Sequence, residues 1–191
     1  MFNLISRRQA FNLKEHLRHH RNTLKLTELV DDRGHTALTL AVKQKEKELV
    51  EVLFEAATEL ALSPEEIKTW VNKKTTQGQH SVTALHIASS EGPSDIVHLL
   101  LQKAADPHML DEQGRSVLHH AAIGCNIYCI VYFCEKESMD INCLDNSKQT
   151  PLHKAAQYDQ KPTIDYILSI KGANIEAQDS EGKTALMLSV I

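Results

Sequence analysis

The chain has 191 residues, which is enough to bury a substantial core within one domain or one continuous array. Its 21 Lys and Arg residues and 25 Asp and Glu residues leave a formal charge of −4, so neither nucleic acid nor an anionic membrane surface is indicated as a partner. The composition is 42% hydrophobic but only 5% aromatic, which predicts an aliphatic core of the kind found in helical arrays.

The N-terminal segment, 1–30, predicts a polar end to the fold. Within it, the stretch LISRRQAFNLKEHLRHH (4–20) indicates two short helices with Leu13 and Leu17 facing inward. The basic run HLRHHR over 16–21 is interpreted as a solvated face, and contact with an acidic lipid or an acidic partner is the alternative.

Signals for export and for membrane insertion are not found in the sequence. The stretch MFNLISRRQAF has arginines where a signal peptide needs its apolar segment. The longest apolar run, IYCIVYFC, is far shorter than the roughly 20 residues that cross a bilayer. The four cysteines are confined to one region and do not resemble a dispersed disulfide framework. We therefore expect a cytoplasmic protein.

A short motif recurs five times along the chain. Its first Thr or Ser is found at Thr36, Thr83, Ser116, Thr150 and Thr184. The last three of the four intervals between these positions are almost equal, and the first is a regular interval lengthened by an insertion. A fixed period of this length predicts a repeat architecture.

The residues around each motif explain a helix–turn–helix unit. Thr or Ser caps a helix by accepting a hydrogen bond from an otherwise unpaired backbone N–H, and Pro151 fits the first helical position. Leu152 and Ala155 share one helix face, and the small Ala allows close approach of a second, aliphatic helix. An extended Asp-x-x-Gly segment then leads to the next motif.

The motifs TPLHKA (150–155), TALHIA (83–88) and SVLHHA (116–121) resemble the signature of ankyrin repeats. The resemblance covers essentially the whole chain. It implies an all-α ankyrin repeat solenoid, in which antiparallel helix pairs alternate with β-hairpin or loop fingers, and it implies binding to other proteins. The sequences of the later repeats also resemble ankyrin segments of DHHC-type protein acyltransferases and of transient-receptor-potential channels.

The register divides the chain into six segments. They are a divergent N-terminal capping repeat over 1–30, a repeat over 31–80 with an insertion over 57–79, regular repeats over 81–111, 112–145 and 146–179, and a truncated repeat over 180–191. Because a solenoid needs a polar cap at each end, we expect the natural chain to continue beyond Ile191.

The insertion carries the only tryptophan. Within SPEEIKTWVNKK (63–74), Ser63 suits an N-cap and Ile67, Trp70 and Val71 share the spacing of one helix face. A short amphipathic helix is therefore predicted. Trp70 is interpreted as packing onto its own repeat, and the alternative is a docking ledge for a partner.

Histidines recur in one position of the motif. His86, His119 and His153 follow each other at the period of the repeat, and we interpret them as structural hydrogen-bonding groups near the Thr or Ser of their own turn. Stacked repeats hold such residues too far apart to share a metal. His120 lies in a variable position that we expect to be partly exposed.

The stretch HHAAIGCNIYCIVYFC (119–134) holds three of the four cysteines. Their spacing, C-x3-C-x4-C-x8-C with Cys143, lacks the paired C-x2-C of common zinc modules. The register places Cys134 in a buried Leu position, Cys125 in a turn and Cys129 on a helix. No metal and no cofactor are predicted, and a redox-sensitive thiol at Cys125 or Cys129 is the alternative.

Catalysis has no support in the sequence. It contains no phosphate-binding G-x-x-x-x-G-K-[ST] loop, no G-x-S-x-G elbow and no H-E-x-x-H zinc helix. We predict that the chain is not an enzyme. Two hypotheses follow: a protein-interaction module or scaffold, and the cytosolic recognition or regulatory arm of a larger membrane protein. The sequence leaves open whether the chain is part of a larger complex.

The positions that vary between repeats predict the binding surface, at the finger tips and on the exposed side of each first helix. The candidate protein-binding residues are Arg33, His35, Lys43, Gln44, Ser90, Glu91, Glu112, Gln113, Arg115, Ile123, Ser147, Gln149, Gln157, Tyr158, Glu181 and Lys183.

Overall fold

The computed structural model describes residues 1–20, 26–76 and 81–189. Throughout these residues the regular secondary structure is helical, and the one β-type pairing is an isolated bridge between Val30 and Thr36. The predicted all-α class is therefore confirmed. Outside the described residues lie Arg21 of the basic run, 77–79 of the insertion and 190–191 of the truncated repeat.

The chain divides into two compact units, one of residues 1–88 and 92–106 and the other of residues 89–91 and 107–191. The helices of the first unit are α1 (Phe2–Ser6), α2 (Ala10–His19), α3 (Ala37–Lys43), α4 (Lys47–Glu59), α5 (Pro64–Val71), α6 (Ala84–Glu91, whose C-terminal end belongs to the second unit) and α7 (Ser94–Gln102). Those of the second unit are α8 (Val117–Ile123), α9 (Ile127–Glu135), α10 (Pro151–Gln157), α11 (Lys161–Ser169) and α12 (Ala185–Leu188).

The N-terminal segment forms a helix pair that matches the pair after it. Helix α1 packs on α3, and α2 packs on α4. Leu13 and Leu17 of α2 are buried, as the sequence predicts, and Ile5 of α1 is buried with them. The two short helices therefore pack on α3 and α4 although they lack the repeat motif.

The insertion forms the predicted short helix, α5. The Ser63 side chain accepts a hydrogen bond from the N–H of Glu66, and the Glu66 carboxylate accepts one from the N–H of Ser63, which together form a capping box. Trp70 is only 1% exposed and packs edge-on against Phe54 of α4, with ring centroids 5.5 Å apart. The interpretation of Trp70 as a core residue is correct, and the alternative of an exposed docking ledge is wrong.

In the second unit, each short first helix packs on the next. Helix α8 packs on α9 and α10, and α10 packs on α11 and α12. Leu118, Ile130, Phe133, Leu152 and Ile167 form much of the buried aliphatic and aromatic core. The core thus runs through the positions that recur along the sequence.

Local hydrogen bonding starts the helices where the motif predicts. The Thr36 side chain accepts a bond of 3.1 Å from the N–H of Thr39, and the Thr150 side chain accepts one of 3.4 Å from the N–H of His153. These bonds use backbone donors that the first helical turn leaves unpaired. Each one fixes the point where an extended connection becomes a helix.

Candidate protein-binding surface

Four aspartates shape the connections that precede the motif helices: Asp31, Asp111, Asp145 and Asp179. In each case Oδ1 accepts bonds of 2.7–2.9 Å from the backbone N–H groups at the second and fourth positions after it. The aspartate N–H donates to the carbonyl at that same fourth position, at 2.9–3.0 Å. The chain therefore turns tightly, and the two residues after each aspartate form the tip of a projecting finger.

Neighbouring fingers of the second unit are hydrogen-bonded to each other. The Asn146 N–H donates to the carbonyl of Gln113 at 2.9 Å, and the Asn146 side chain donates to the carbonyl of Glu112 at 3.1 Å. One repeat later, the Ser180 N–H donates to the carbonyl of Ser147 at 2.9 Å. Three tips therefore form one continuous row, which we call the finger edge: residues 112–113, 146–147 and 180–181.

The sequence-predicted surface residues differ widely in exposure. Those exposed are Arg33, Lys43, Glu91, Glu112, Gln113, Ser147, Gln157, Tyr158 and Glu181. Those partly buried are His35, Gln44, Ser90, Ile123, Gln149 and Lys183. The structure therefore places the finger-edge residues and the end of α10 at the surface.

Arg115 is the clear exception, because it is buried. Its Nε donates to Oδ2 of Asp111 at 2.7 Å, and His120 Nε2 lies 2.9 Å from the same oxygen. The Asp111 side chain is 0% exposed. The expectations that Arg115 contacts a partner and that His120 is partly exposed are wrong, since both side chains hold the base of their own finger.

The next finger has an equivalent buried network. Lys154 Nζ lies 2.8 Å from Oδ2 of Asp145 and donates to Oε1 of Gln149 at 2.6 Å. The side-chain amide of Gln149 donates in turn to Oδ2 of Asp179 at 3.0 Å. Gln149, expected to contact a partner, instead connects the base of one finger to the base of the next.

Exposed apolar side chains near the fingers were not predicted. Leu110 and Leu144 are 48% and 55% exposed, and each directly precedes a finger aspartate. The sequence did contain a signal, because the two leucines occupy the same position of successive repeats. Tyr158 is also 50% exposed, so these three side chains near the fingers are available to contact a partner.

The motif histidines bond within their own turn, as predicted, and also reach the next finger. The Ser116 N–H can only donate, so Nδ1 of His119 accepts its bond of 3.2 Å. Nε2 of His119 then carries the proton and donates to the carbonyl of Gln149 at 2.9 Å. His153 repeats this arrangement one step later, with its Nε2 3.1 Å from the carbonyl of Lys183.

The buried position of His119 predicts a pH-dependent stability. Burial lowers the pKa of His119 to about 4 from its ordinary value of 6.5. Between these pH values the unfolded chain binds more protons than the folded chain. The free energy of unfolding should therefore fall by up to about 3 kcal/mol as the pH decreases from 6.5 to 4. Urea unfolding at a series of pH values should show that His119→Gln flattens this slope.

The control for this prediction is His108→Gln, which replaces an exposed histidine. It should leave the slope of unfolding free energy against pH unchanged. Equal slopes for the wild type and His119→Gln would show that His119 does not limit stability in this range.

Cys125 lies in the turn between α8 and α9 and Cys129 lies on α9, as predicted, whereas Cys134 differs from its predicted placement. Cys129 is 0% exposed, and burial raises its pKa to about 12, so a redox-sensitive surface thiol at this position is ruled out. Cys134 is partly exposed rather than a core thiol, and burial still raises its pKa to about 11. Cys125 is partly buried and accepts a weak bond from Thr163 Oγ1 at 3.5 Å. None of the four is in a disulfide.

Two further observations concern membranes and metals. Within residues 1–20, 26–76 and 81–189, every helix is too short or too polar to cross a bilayer. The same residues contain no group of three or more His, Cys, Asp or Glu side chains placed to hold a metal ion.

Comparison with known proteins finds one matching family profile and several similar proteins. The sequence profile described as "Ankyrin repeats (3 copies)" matches residues 9–111 and 85–179. The chain is 33% identical over 112 residues to Palmitoyltransferase AKR1 of Lachancea kluyveri, which covers 57% of this chain and 15% of that protein.

Two other relatives match more of the chain. Identity is 27% over 197 residues to human SH3 and multiple ankyrin repeat domains protein 2, which covers 94% of this chain and 10% of the relative. Identity is 28% over 182 residues to human Transient receptor potential cation channel subfamily A member 1, and this match covers 81% of this chain and 16% of the channel. The chain therefore spans a small part of each relative. The predicted likeness to acyltransferases and to transient-receptor-potential channels is confirmed.

Proposed function

The chain belongs to the ankyrin repeat family, and on that premise we propose that it is a protein-interaction module that binds a partner along the finger edge of its second unit. The observation that carries the proposal is the row of backbone hydrogen bonds between neighbouring fingers. Repeat proteins bind their partners on extended surfaces of this kind.

Pre-organisation of the fingers supports the proposal. The base of each of these fingers contains a buried aspartate whose carboxylate is satisfied by backbone N–H groups and by a neighbouring side chain. A partner therefore meets tips that are already ordered, and binding does not have to supply the free energy of ordering them.

The chemistry of the surface predicts a polar contact with few anchors. Glu112, Gln113, Ser147 and Glu181 are exposed at the tips, and Tyr158 is half-exposed at the end of α10. Tyrosine is a frequent source of binding energy because it buries much apolar area and keeps a hydroxyl for hydrogen bonding. We infer that Tyr158 provides affinity and that the tips provide specificity.

The test combines Gln113→Ala, Gln157→Ala and Tyr158→Ala. A partner is first identified by cross-linking and mass spectrometry, then purified and titrated calorimetrically against wild type and variant. We expect the triple variant to bind at least about tenfold more weakly, since loss of a central tyrosine anchor costs about 2 kcal/mol or more.

The control is Gln102→Ala with Tyr128→Ala, which changes an exposed glutamine and an exposed tyrosine away from the finger edge. It should bind like the wild type. Unchanged affinity in the first variant, with a normal unfolding transition, would refute the assignment of this surface.

A second candidate function is supported by the relatives alone. Palmitoyltransferase AKR1 and the transient receptor potential channel suggest that these repeats serve as the recognition or regulatory arm of a membrane enzyme or channel. The native protein would then co-purify with such a membrane protein after gentle solubilisation. Recovery of the native protein without any membrane enzyme or channel would exclude this candidate.

A further inference from the structure

The first unit contains an open groove beside α5. Its volume is about 620 Å³, and it is lined by residues 27–28, by one side of α5 and by the two residues that follow this helix. Ligand-binding clefts in proteins have volumes of roughly 300–1,000 Å³, so the groove is large enough for several residues of a partner. It shares no residue with the finger edge.

The indole of Trp70 leaves a hydrogen-bond donor unused in the lining of this groove. Trp70 is one of the lining residues, yet it is only 1% exposed, because its ring also packs against Phe54 of α4. Its Nε1–H is buried and has no hydrogen-bond partner among the described residues. Buried tryptophans usually pair this N–H, since an unpaired buried donor costs free energy. An acceptor oxygen bound in the groove supplies the missing partner.

The charge of the groove is predominantly negative. Three exposed carboxylates line it, from Glu28, Glu65 and Glu66. The cationic side chain in the lining is that of Lys73, whose Nζ donates to the backbone carbonyl of Thr27 at 2.9 Å. A concave surface with an excess of one charge attracts ligands of the opposite charge. The groove therefore favours a cationic group.

The two carboxylates of α5 differ in what they bind within the protein. Oε2 of Glu66 accepts from the backbone N–H of Ser63 at 2.8 Å and from its hydroxyl at 2.7 Å. These hydrogen bonds lower the pKa of Glu66, so it is ionised at neutral pH. No hydrogen bond or ion pair joins the Glu65 carboxylate to another described residue. Glu65 is therefore available to a ligand.

We propose that this groove binds a basic peptide segment of a partner protein. A Lys or Arg side chain of the segment pairs with Glu65, and a backbone carbonyl accepts from Nε1–H of Trp70. A peptide carries both groups, because each residue adds a carbonyl acceptor beside its side chain. The indole ring itself stays in the core, so Trp70 contributes its N–H and not an exposed aromatic face. This site is additional to the finger edge.

The test is an NMR titration of the full chain with the capped peptide Gly-Arg-Lys-Gly. The sequence has one tryptophan, so the spectrum has one indole ¹H–¹⁵N signal, which reports on Trp70 without further assignment. We expect its proton to shift downfield in one saturating transition as Nε1–H gains an acceptor. Glu65→Gln should weaken binding about two- to fivefold, the scale of an exposed ion pair.

Glu48→Gln is the matched control, because Glu48 is an exposed glutamate of the first unit that does not line the groove. It should leave the affinity for the peptide unchanged. The uncharged peptide Gly-Gln-Gln-Gly, and spermidine, which has charges but no carbonyl, should leave the indole signal in place. An unshifted indole signal with the basic peptide, an equal shift with spermidine, or equal affinity in the wild type and Glu65→Gln would overturn the proposal.

Discussion

Replacing Gly124 with alanine is expected to destabilise the second unit by about 3 kcal/mol or more. A Cβ atom at this position would lie 1.8 Å from the backbone carbonyl oxygen of Ser90 and 2.5 Å from its carbon. Both neighbours are backbone atoms, so no side chain can rotate to make room. The turn between α8 and α9 would have to move, and the buried residues on both helices would move with it.

The sign of the effect distinguishes this contact from ordinary backbone entropy. Gly124 has φ −87°, which alanine adopts without strain. In open space the substitution would stabilise the protein by about 0.4–1 kcal/mol through the unfolded state. Urea unfolding of Gly124→Ala therefore tests the close approach directly, and a stabilised variant would show that the backbones are not in contact.

Gly172→Ala is the control, because its circumstances are the reverse. Gly172 has φ +96°, and nothing lies within 4 Å of a Cβ placed there. Gly172→Ala should therefore lower the free energy of unfolding through backbone strain alone, by roughly 1–2 kcal/mol. Gly124→Ala should therefore cost more than Gly172→Ala, although it lies in the more favourable backbone region.

The repeat pattern predicts the fold well because its signals are local. Thr36 and Thr150 cap helices within the first turn after their own position. Leu13 and Leu17 follow the spacing of one helix face, and α2 forms as expected. The short helix from Pro64 also follows from its capping residues. Interactions between residues one helical turn apart can be predicted from a single sequence.

The surface was predicted less well because burial depends on the partners that a side chain finds. Arg115 occupies a position that varies between repeats, which suggested exposure, but the buried carboxylate of Asp111 holds both it and His120 inward. Cys134 follows Phe133, so it is rotated about 100° away from the core that Phe133 fills. A position that varies between repeats can therefore have a different contact within the protein, and variation alone does not show that it is exposed.

Neutralising Asp111 is expected to have the other large effect on the free energy of unfolding. Asp111→Asn is expected to cost about 3–5 kcal/mol of unfolding free energy, because it leaves the Arg115 guanidinium buried without a countercharge. The Arg115 side chain is 6% exposed, and its Nη2 has no hydrogen-bond partner among the described residues. Asparagine keeps Oδ1, which accepts the backbone bonds of the finger, so the loss reports Oδ2, which carries charge and accepts from Arg115.

Two variants control for this substitution. Asp31→Asn alters the same turn in the first unit, where Oδ2 faces His35 at 3.3 Å and the carboxylate is more exposed, so it should cost about 1 kcal/mol or less. Asp111→Asn combined with Arg115→Met removes both charges and should recover much of the loss, because apolar replacements of buried pairs are often tolerated. A single variant as stable as the wild type would contradict the buried pair.

The pH dependence provides an independent check on the same carboxylate. Burial alone would raise the pKa of Asp111, but hydrogen bonds from His120 and Arg115, with the Arg115 charge, hold it well below its ordinary value. The stabilisation is therefore complete above the unfolded pKa of about 4 and is lost as the pH falls below it. The wild type should lose stability steeply below pH 4, under the range in which His119 titrates, and this loss should be smaller in Asp111→Asn because the amide takes up no proton.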